Sequence, residues 1–303
     1  MEKHDLTSWD DFISTIQDIN NEYSDIDIMW RGVPNSEWKL TTTLERFNNK
    51  NRNQFLTLSD YIYCICRCAP QIESFTGRSF NLPPEANKII KEIEHLSWYT
   101  SPQISISILH LPSYLYDYCT YLRHHGFPSP LLDWSMSPYI AAFFAFADDY
   151  TEAKSIIPAK VSIYGYIEGN YLTGKKYSEG NNLILTYGPN IKAHERHFLQ
   201  QTCYSMALRH EFKHKIHTWT FVNHEEIVHR SNENADQNTQ DLLIEITLPY
   251  DERIKALTYL NAHNINHFSL LQSEDSLMKA IIFKELITEK KKVRPGGITG
   301  TSM

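Results

Sequence analysis

The stretch LRHHGFPSPLLDWSMSPYIAAFFAFA, from Leu122 to Ala147, decides the fold because it predicts three elements in close succession. A helix leads into it and is expected to end near Gly126, a residue suited to a left-handed cap. Leu131 to Trp134 are typical of a short buried strand. Ser137, with a proline next to it, is typical of a helix N-cap. The apolar run from Tyr139 to Ala147 therefore predicts a helix deep in the core.

A second buried strand is predicted in the segment DIMWRGVPNSEWKL, from Asp27 to Leu40. The apolar residues favour a strand that ends at Arg31 and Gly32, before a proline turn. An arginine at the end of a buried strand needs partners. Arg31 either pairs with Asp27 or Asp133 as a structural arginine, or binds a ligand anion through its planar set of donors.

The apolar residues elsewhere predict further helices early and late in the chain and strands between them. Ser8 stands three positions before Asp11, which resembles a capping box at the first helix. Helices are expected in TSWDDFISTIQDINNEY, NQFLTLSDYIYCICR, EANKIIKEIEHLSWY, YDERIKALTYLNAHN and SEDSLMKAIIFKELITEKKK. Strands are expected in VSIYGYIEG, RHFLQQTCYSMAL, FKHKIHTWTFV, DLLIEITLP and INHFSLLQ. The pattern predicts an α+β protein with helices mostly early and strands mostly late.

Composition favours a packed globule, since 42% of the 303 residues are hydrophobic. No apolar run reaches the length of a membrane span, and the polar start is unlike a secretory signal, so no membrane and a cytoplasmic location are expected. The net charge of -7 excludes a global basic field for nucleic acid. Cys64, Cys66 and Cys68 alternate, a spacing unlike that of zinc ligands, so reduced thiols and no metal are expected.

The segment HEFKH, from His210 to His214, matches the HExxH pattern of zinc peptidases. That chemistry requires a helix, which brings both histidines to one face. The neighbouring aromatic and β-branched residues favour a strand instead, on which Glu211 faces away from both histidines. A zinc peptidase is therefore the weaker alternative.

Four segments together resemble the FRG domain, a family named for a Phe-Arg-Gly motif that appears here as Trp30, Arg31 and Gly32. The segments are WRGVPNSEWKLTTTLER, LRHHGFPSPLLDWSMSPYIAAFFAFAD, ERHFLQQTCYSMAL and HFSLLQSEDSLMKAI, in the expected order. The resemblance runs from about Met29 to Leu286. Two departures are the Trp in place of Phe and the absence of a glycine in QQTCYS.

The resemblance implies a distant relation to ADP-ribosyltransferases, whose split β structure holds NAD. The expected fold is therefore α+β, with an ADP-ribosyltransferase-like split β-sheet core and a helical N-terminal part. Residues 1–25 would form a helical lead, residues 26–288 the FRG/ADP-ribosyltransferase-like domain, and residues 289–303 a disordered tail.

In that fold an Arg or His ends the first strand, a hydroxyl or aromatic residue follows on the second, and a Glu closes the site. The resemblance places Arg31 first, the residues from Trp134 to Ser137 second, and Glu274 third, with Asp275 and Glu285 as substitutes for the acid. Such a carboxylate stabilises the positive charge that builds on the sugar when the nicotinamide bond breaks. The implied catalytic pair is Arg31 and Glu274, and the implied NAD-binding residues are Arg31, Gly32, His124, His125, Trp134 and Ser137.

Each of these residues also has a structural explanation that the sequence leaves open. His124 and His125 suit a helix C-terminus, where a cation meets the negative end of the dipole. Trp134 suits a core, Ser137 suits an N-cap, and Glu274 suits the start of a helix.

The activity implied is transfer of ADP-ribose from NAD to RNA or protein. FRG proteins resemble parts of bacterial conflict systems, which implies a toxin or phage-defence effector restrained by an antitoxin protein, as in toxin–antitoxin–chaperone systems. The alternative is a module that binds a nucleotide or partner without catalysis, which would need Arg31 but place no demand on Glu274. A local basic patch for RNA could be formed by Arg123, His124, His125, Arg196, His197, Arg209, His210, Lys213 and Lys215.

Overall fold

The computed structural model describes residues 1–51, 57–83, 85–91, 112–147, 157–169, 182–188, 195–213, 216–233 and 241–288. Within them the chain is a mixed α+β protein built on one open sheet of eight strands. The strands are β1 (Glu2–Asp5), β2 (Met29–Val33), β3 (Leu132–Ser135), β4 (Lys160–Ile167), β5 (Asn182–Tyr187), β6 (Thr202–Lys213), β7 (Ile216–Phe221) and β8 (Leu242–Pro249).

Helices precede, interrupt and follow these strands. They are α1 (Trp9–Glu22), α2 (Thr43–Lys50), α3 (Leu58–Thr76), α4 (Ser113–His124), α5 (Pro138–Phe146), α6 (Glu195–Leu199), α7 (His224–Glu233), α8 (Arg253–Ala262), α9 (His267–Leu271) and α10 (Glu274–Ile281). A 3₁₀ turn, Tyr250–Glu252, leads into α8, and a π-helical segment, Ile282–Thr288, continues α10.

The sheet opens between two of its central strands. Its order is β1-β8-β4-β2-β3-β6-β5, and β7 pairs with the part of β6 beyond β3. β2 pairs with β4 along its whole length, but it meets β3 through one pair only, Trp30 with Ser135. We refer to the stretch without ladder pairing between β2 and β3, beside this pair, as the opening, and Arg31 on β2 and Asp133 on β3 lie next to it.

Helices cover the two faces of the sheet unequally. Trp30 lies in a core with Trp9 of α1 and Phe143 of α5, and α8 packs in the same layer. On the opposite face α7 packs through Ile227 and Val228 against a core that includes Met29 and Val33. Because side chains alternate along a strand, Arg31 faces the α7 side.

Gly32 explains how α5 approaches the sheet so closely. A Cβ atom at this position would lie 1.9 Å from the carbonyl oxygen of Ala141 and 2.6 Å from the nitrogen of Ala145. Any side chain there would push α5 off the sheet. Gly32 is therefore required for packing, on the face opposite to that of Arg31.

Several predicted boundaries are confirmed by their caps. The Ser8 side chain accepts a hydrogen bond from the Asp11 nitrogen at the start of α1. Gly126 adopts a φ of 82° just after α4, as a left-handed cap requires. Ser137 caps α5 by accepting from the nitrogen of Ile140 at 3.3 Å.

Other predicted elements are wrong, each for a local reason. The segment predicted as strand INHFSLLQ is helix α9, because the Asn266 side chain caps it. The predicted strand RHFLQQTCYSMAL begins with α6, and the strand starts only at Thr202. β2 does not end at Arg31 and Gly32 but pairs through both of them to Val33.

The chain also departs from the predicted helical lead and from one predicted helix end. Residues 1–25 contribute β1 as well as α1, and β1 runs parallel to β8 in the same sheet. α3 continues past Pro70 to Thr76, beyond the end of the predicted helix NQFLTLSDYIYCICR. The predicted tail 289–303 lies outside the described residues.

Two expectations from the composition concern the state of the thiols and membrane-spanning segments. All five cysteines are free thiols. No described helix combines the length and the apolar character that crossing a membrane requires.

Candidate anion-binding site

Arg31 is held beside the opening of the sheet but is not fully paired. Its Nη1 donates to the backbone carbonyl oxygen of Asp133 at 2.6 Å. Its Nε is buried and has no hydrogen-bond partner among the residues that the structure describes. The Asp133 carboxylate is bound instead by Nε and Nη2 of Arg123. The structural partner that the sequence offered to Arg31 is thus occupied by another arginine.

The Arg123–Asp133 pair lies at the mouth of the site. The Arg123 side chain is 11% exposed and the Asp133 side chain 39% exposed. Burial acts to raise the pKa of Asp133, but the charges of Arg123 and Arg31 and the hydrogen bonds from Arg123 outweigh it and lower that pKa. Arg123 also donates to Thr43 Oγ1 at 3.2 Å, which ties α4 to the start of α2.

Positive charge exceeds negative charge around Arg31. Burial is the main cause that lowers the pKa of Arg31 to about 10; the nearby Asp133 opposes the shift, and the charges of Arg123 and Arg46 contribute to it. Arg31 thus remains charged at neutral pH. Arg46 is exposed on α2, and its Nη1 donates to the Thr41 carbonyl at 2.8 Å. Three guanidinium groups and two carboxylates, Asp133 and the Glu45 that adjoins Arg46, leave the site locally cationic in a protein of net charge -7.

A buried hydrogen-bond network stands behind Arg31 on the α7 face. Trp134 Nε1 donates to Ser205 Oγ at 2.6 Å. Ser205 Oγ lies 2.8 Å from Nε2 of His224, the first residue of α7. Burial and, to a smaller extent, the charge of Arg31 lower the pKa of His224 to about 3, so the imidazole is neutral at physiological pH.

The other predicted NAD-binding residues are spread around this cluster. Trp134 is buried and adjoins Asp133, but its indole nitrogen donates to Ser205.

His124 is exposed at the end of α4, and its Nε2 lies 2.9 Å from the Tyr204 hydroxyl. His125 is exposed and tilted against the Tyr121 ring. Ser137 acts as the cap of α5. Among the predicted residues, only Arg31, Trp134 and His124 therefore adjoin Asp133 or its ion pair.

Glu274 lies apart from these contacts. It is the exposed first residue of α10, after the Ser273 cap. α10 and the segment after it pack with α5 and α8, since Phe283 shares a core with Phe143 and Leu257. That layer covers the face opposite to Arg31. Asp275 is exposed next to Glu274, and Glu285 forms an ion pair with Lys284 at 3.3 Å.

The HExxH segment does not have the geometry of a zinc peptidase. His210 to Lys213 are extended in β6 and pair with β7, while His214 lies outside the described residues. No group of three or more metal-ligating side chains occurs in the part of the chain that the structure describes.

Sequence reasoning missed Ser205, His224 and Arg46. Ser205 and Trp134 become neighbours only through the pairing of β3 with β6. His224 begins a helix that the aromatic segment before it did not predict. No spacing in the sequence connects these residues with Arg31, so only the fold identifies them as a site.

Comparison with known proteins supports the family that the motifs indicate. The model of the FRG domain family matches residues 27–154. This segment contains Arg31, Arg46, Arg123, Asp133 and Trp134, but not Ser205, His224 or Glu274. No curated protein and no solved structure matches the chain.

Proposed function

We propose that the protein is an NAD-dependent ADP-ribosyltransferase that binds the diphosphate of NAD at Arg31. The observation that carries this proposal is the buried, unpartnered Nε of Arg31 beside a carboxylate that Arg123 already occupies. An unsatisfied guanidinium in a locally cationic cluster favours an anion with several acceptor oxygens, and a diphosphate fits that description.

The open sheet supports the same proposal. An ADP-ribosyltransferase-like core is expected to split its β structure around the nucleotide. Here β2 and β3 separate after one residue pair, directly beside Arg31. Arg31 would bind the diphosphate, and Arg123 and Asp133 would fix the position of Arg31 through the β3 backbone.

The chemical step needs a carboxylate near the ribose. Cleavage of the nicotinamide–ribose bond transfers the bonding electrons to nicotinamide and leaves positive charge on the sugar carbon, which an acceptor oxygen or nitrogen then attacks. Glu274 stays the predicted acid, with Asp275 and Glu285 as substitutes. For Glu274 to act, α10 must approach the opening in the NAD-bound protein.

The acceptor is proposed to be RNA or protein, and the biological role is proposed to be that of a toxin in toxin–antitoxin or anti-phage defence. An antitoxin protein, with or without a chaperone, would then be the partner that restrains the activity. The exposed Arg46, His124 and His125 near the site offer a local basic surface for such an acceptor. Arg209 is less suited, because it pairs with Glu226 at 2.7 Å.

A second candidate is a module that binds a nucleotide without catalysis. It is favoured by one observation, the exposed position of Glu274 on the layer opposite to Arg31. Such a module keeps the cationic site but has no use for an acid.

Nicotinamide release from NAD separates the two candidates. The transferase releases nicotinamide when purified chain is incubated with NAD and RNA or protein from cells, and mass spectrometry finds ADP-ribose on one of these acceptors. Glu274→Ala and Glu274→Gln should abolish release and toxicity in cells while changing affinity for ADP-ribose by less than about twofold. Unchanged nicotinamide release in both variants would mean that the catalytic carboxylate is Asp275 or Glu285 instead of Glu274. Tight ADP-ribose binding without release by the wild type would establish the non-catalytic module.

A further inference from the structure

Two buried nitrogens on the α7 face have no hydrogen-bond partner among the described residues. They are Arg31 Nε and His224 Nδ1. His224 is only 2% exposed, so bulk solvent does not reach its ring. Buried polar groups are nearly always paired, and an exception calls for an explanation such as a missing ligand.

The network behind His224 determines which of its nitrogens carries the proton. The Trp134 indole can only donate, so it occupies one acceptor position of Ser205 Oγ. The hydroxyl proton of Ser205 then needs an acceptor, and His224 Nε2 lies 2.8 Å away. A neutral imidazole that accepts at Nε2 is protonated at Nδ1. The unpartnered atom of His224 is therefore a donor, like the unpartnered atom of Arg31.

The two donors belong to one continuous set of contacts. Arg31 bonds the carbonyl of Asp133, the next residue Trp134 bonds Ser205, and Ser205 bonds His224. The charge of Arg31 also acts on His224, in the direction that lowers the pKa of the imidazole. A charged donor from β2 and a neutral donor from α7 thus lie on the same side of the opening.

We infer that His224 is a second ligand-binding residue of this site, and that its Nδ1–H and the Nε–H of Arg31 together bind oxygen atoms of a diphosphate. This inference rests on the proposed nucleotide-binding function and adds a residue to it. A neutral donor suits the position, because it supplies a hydrogen bond without adding a second buried charge next to Arg31. Both nitrogens lie below the accessible surface, so the diphosphate enters as the site opens and then closes around it.

Ser205 is a positioning residue under this inference. Its hydroxyl fixes the tautomer and the orientation of the imidazole but does not touch the ligand. Trp134 in turn fixes Ser205. The buried indole thus acts on the ligand only through two intervening side chains.

Two substitutions of His224 test its two nitrogens separately: Nδ1, which would face the ligand, and Nε2, which contacts Ser205. In His224→Gln the side-chain amide reaches the position of Nε2, so the contact with Ser205 is kept and the donor at Nδ1 is lost. In His224→Asn the amide reaches the position of Nδ1, so the donor is kept and the contact with Ser205 is lost. Calorimetric titration of the full chain with ADP-ribose and with inorganic pyrophosphate measures both variants against the wild type, after thermal unfolding has shown that each variant folds.

We expect His224→Gln to weaken both ligands about tenfold or more and His224→Asn to weaken them less than about threefold. A nitrogen-15 spectrum of the wild-type histidines provides a readout that does not depend on the variants. Nδ1 of His224 should carry the proton in the free protein, and its resonance should shift when pyrophosphate binds. Equal affinity of His224→Gln and wild type, a His224 protonated at Nε2, or no pyrophosphate binding by the wild type would overturn the inference.

Nicotinamide release by the wild type, measured beside these titrations, distinguishes this inference from the proposed function. Weaker binding in His224→Gln without nicotinamide release by the wild type would retain the binding site and reject the transferase. Nicotinamide release by the wild type with unchanged affinity in His224→Gln would retain the transferase and reject the role of His224.

Discussion

The opening between β2 and β3 and the start of α10 both carry charged residues that the family resemblance assigns to one site, yet their environments differ. At the opening, Arg31 is half-buried, its buried Nε lacks a partner among the described residues, and positive charge exceeds negative charge around it. At the start of α10, Glu274 is exposed and follows a complete capping box. Arg31 is held in a costly arrangement, whereas Glu274 is in a position that any helix start favours.

The difference bears on which of the two residues would be ready for a ligand in the free protein. An orphaned buried donor is unfavourable by about 1–3 kcal/mol, and a bound anion would supply its acceptor. An exposed carboxylate at a helix start stabilises its own helix by about 0.3–1 kcal/mol. Under the proposed function, the donors of the binding half are in place but have to become accessible, whereas the catalytic half requires a movement of α10.

The largest expected effect comes from the removal of the Arg31 side chain. Arg31→Ala removes both the unpartnered Nε and the positive charge, so we expect nicotinamide release from NAD to fall about 1,000-fold and toxicity in cells to disappear. Arg31→Lys is the matched control, because it keeps the charge but lacks the planar fork, and it should recover only a small part of the activity. A folded Arg31→Ala protein with wild-type release would exclude Arg31 from the site.

Gly32 tests packing separately from ligand binding, because it adjoins Arg31 but faces the opposite helical layer. Gly32→Ala brings a methyl group against the α5 backbone, so we expect the free energy of unfolding to fall by about 3 kcal/mol in urea denaturation. Gly188→Ala is the control, since its Cβ would meet nothing within 4 Å. A Gly32→Ala protein of unchanged stability but lost ligand binding would instead make Gly32 a binding residue, as the resemblance implies.

The buried His224 predicts a smaller effect that depends on pH. Its pKa is about 3 in the folded protein and about 6.5 in the unfolded chain. Below pH 6.5 the unfolded state therefore binds a proton that the folded state does not, and the free energy of unfolding falls as pH falls. Asp133 contributes only at lower pH, because its folded pKa lies below 3.8.

Urea denaturation at pH 7 and pH 5 measures this contribution. The wild type should lose about 2 kcal/mol more than His224→Gln between these two pH values. An equal loss in both proteins would mean that His224 is not buried as a neutral group.

Much of the fold could be predicted where local chemistry decides it. Ser8, Gly126 and Ser137 mark helix ends through their own side chain or backbone, and the structure has those caps where the sequence placed them. The prediction of a strand in INHFSLLQ was wrong because apolar residues over a short segment suit both a strand and a helix. There the Asn266 cap decides the outcome.

The candidate site could be predicted only in part. Arg31 stands out in the sequence as a charged residue in an apolar strand, with Asp27 or Asp133 as alternative structural partners. The sequence could not show that Arg123 takes the Asp133 carboxylate and leaves Arg31 with the carbonyl alone. It could not show His224 either, because strand pairing and the packing of α7 bring it to Ser205.

A crystal structure of the full chain with ADP-ribose would show whether Arg31 binds the diphosphate. We expect a diphosphate oxygen about 3 Å from Arg31 Nε, in the opening between β2 and β3. A bound diphosphate elsewhere on the protein, with Arg31 Nε still unpartnered, would contradict it.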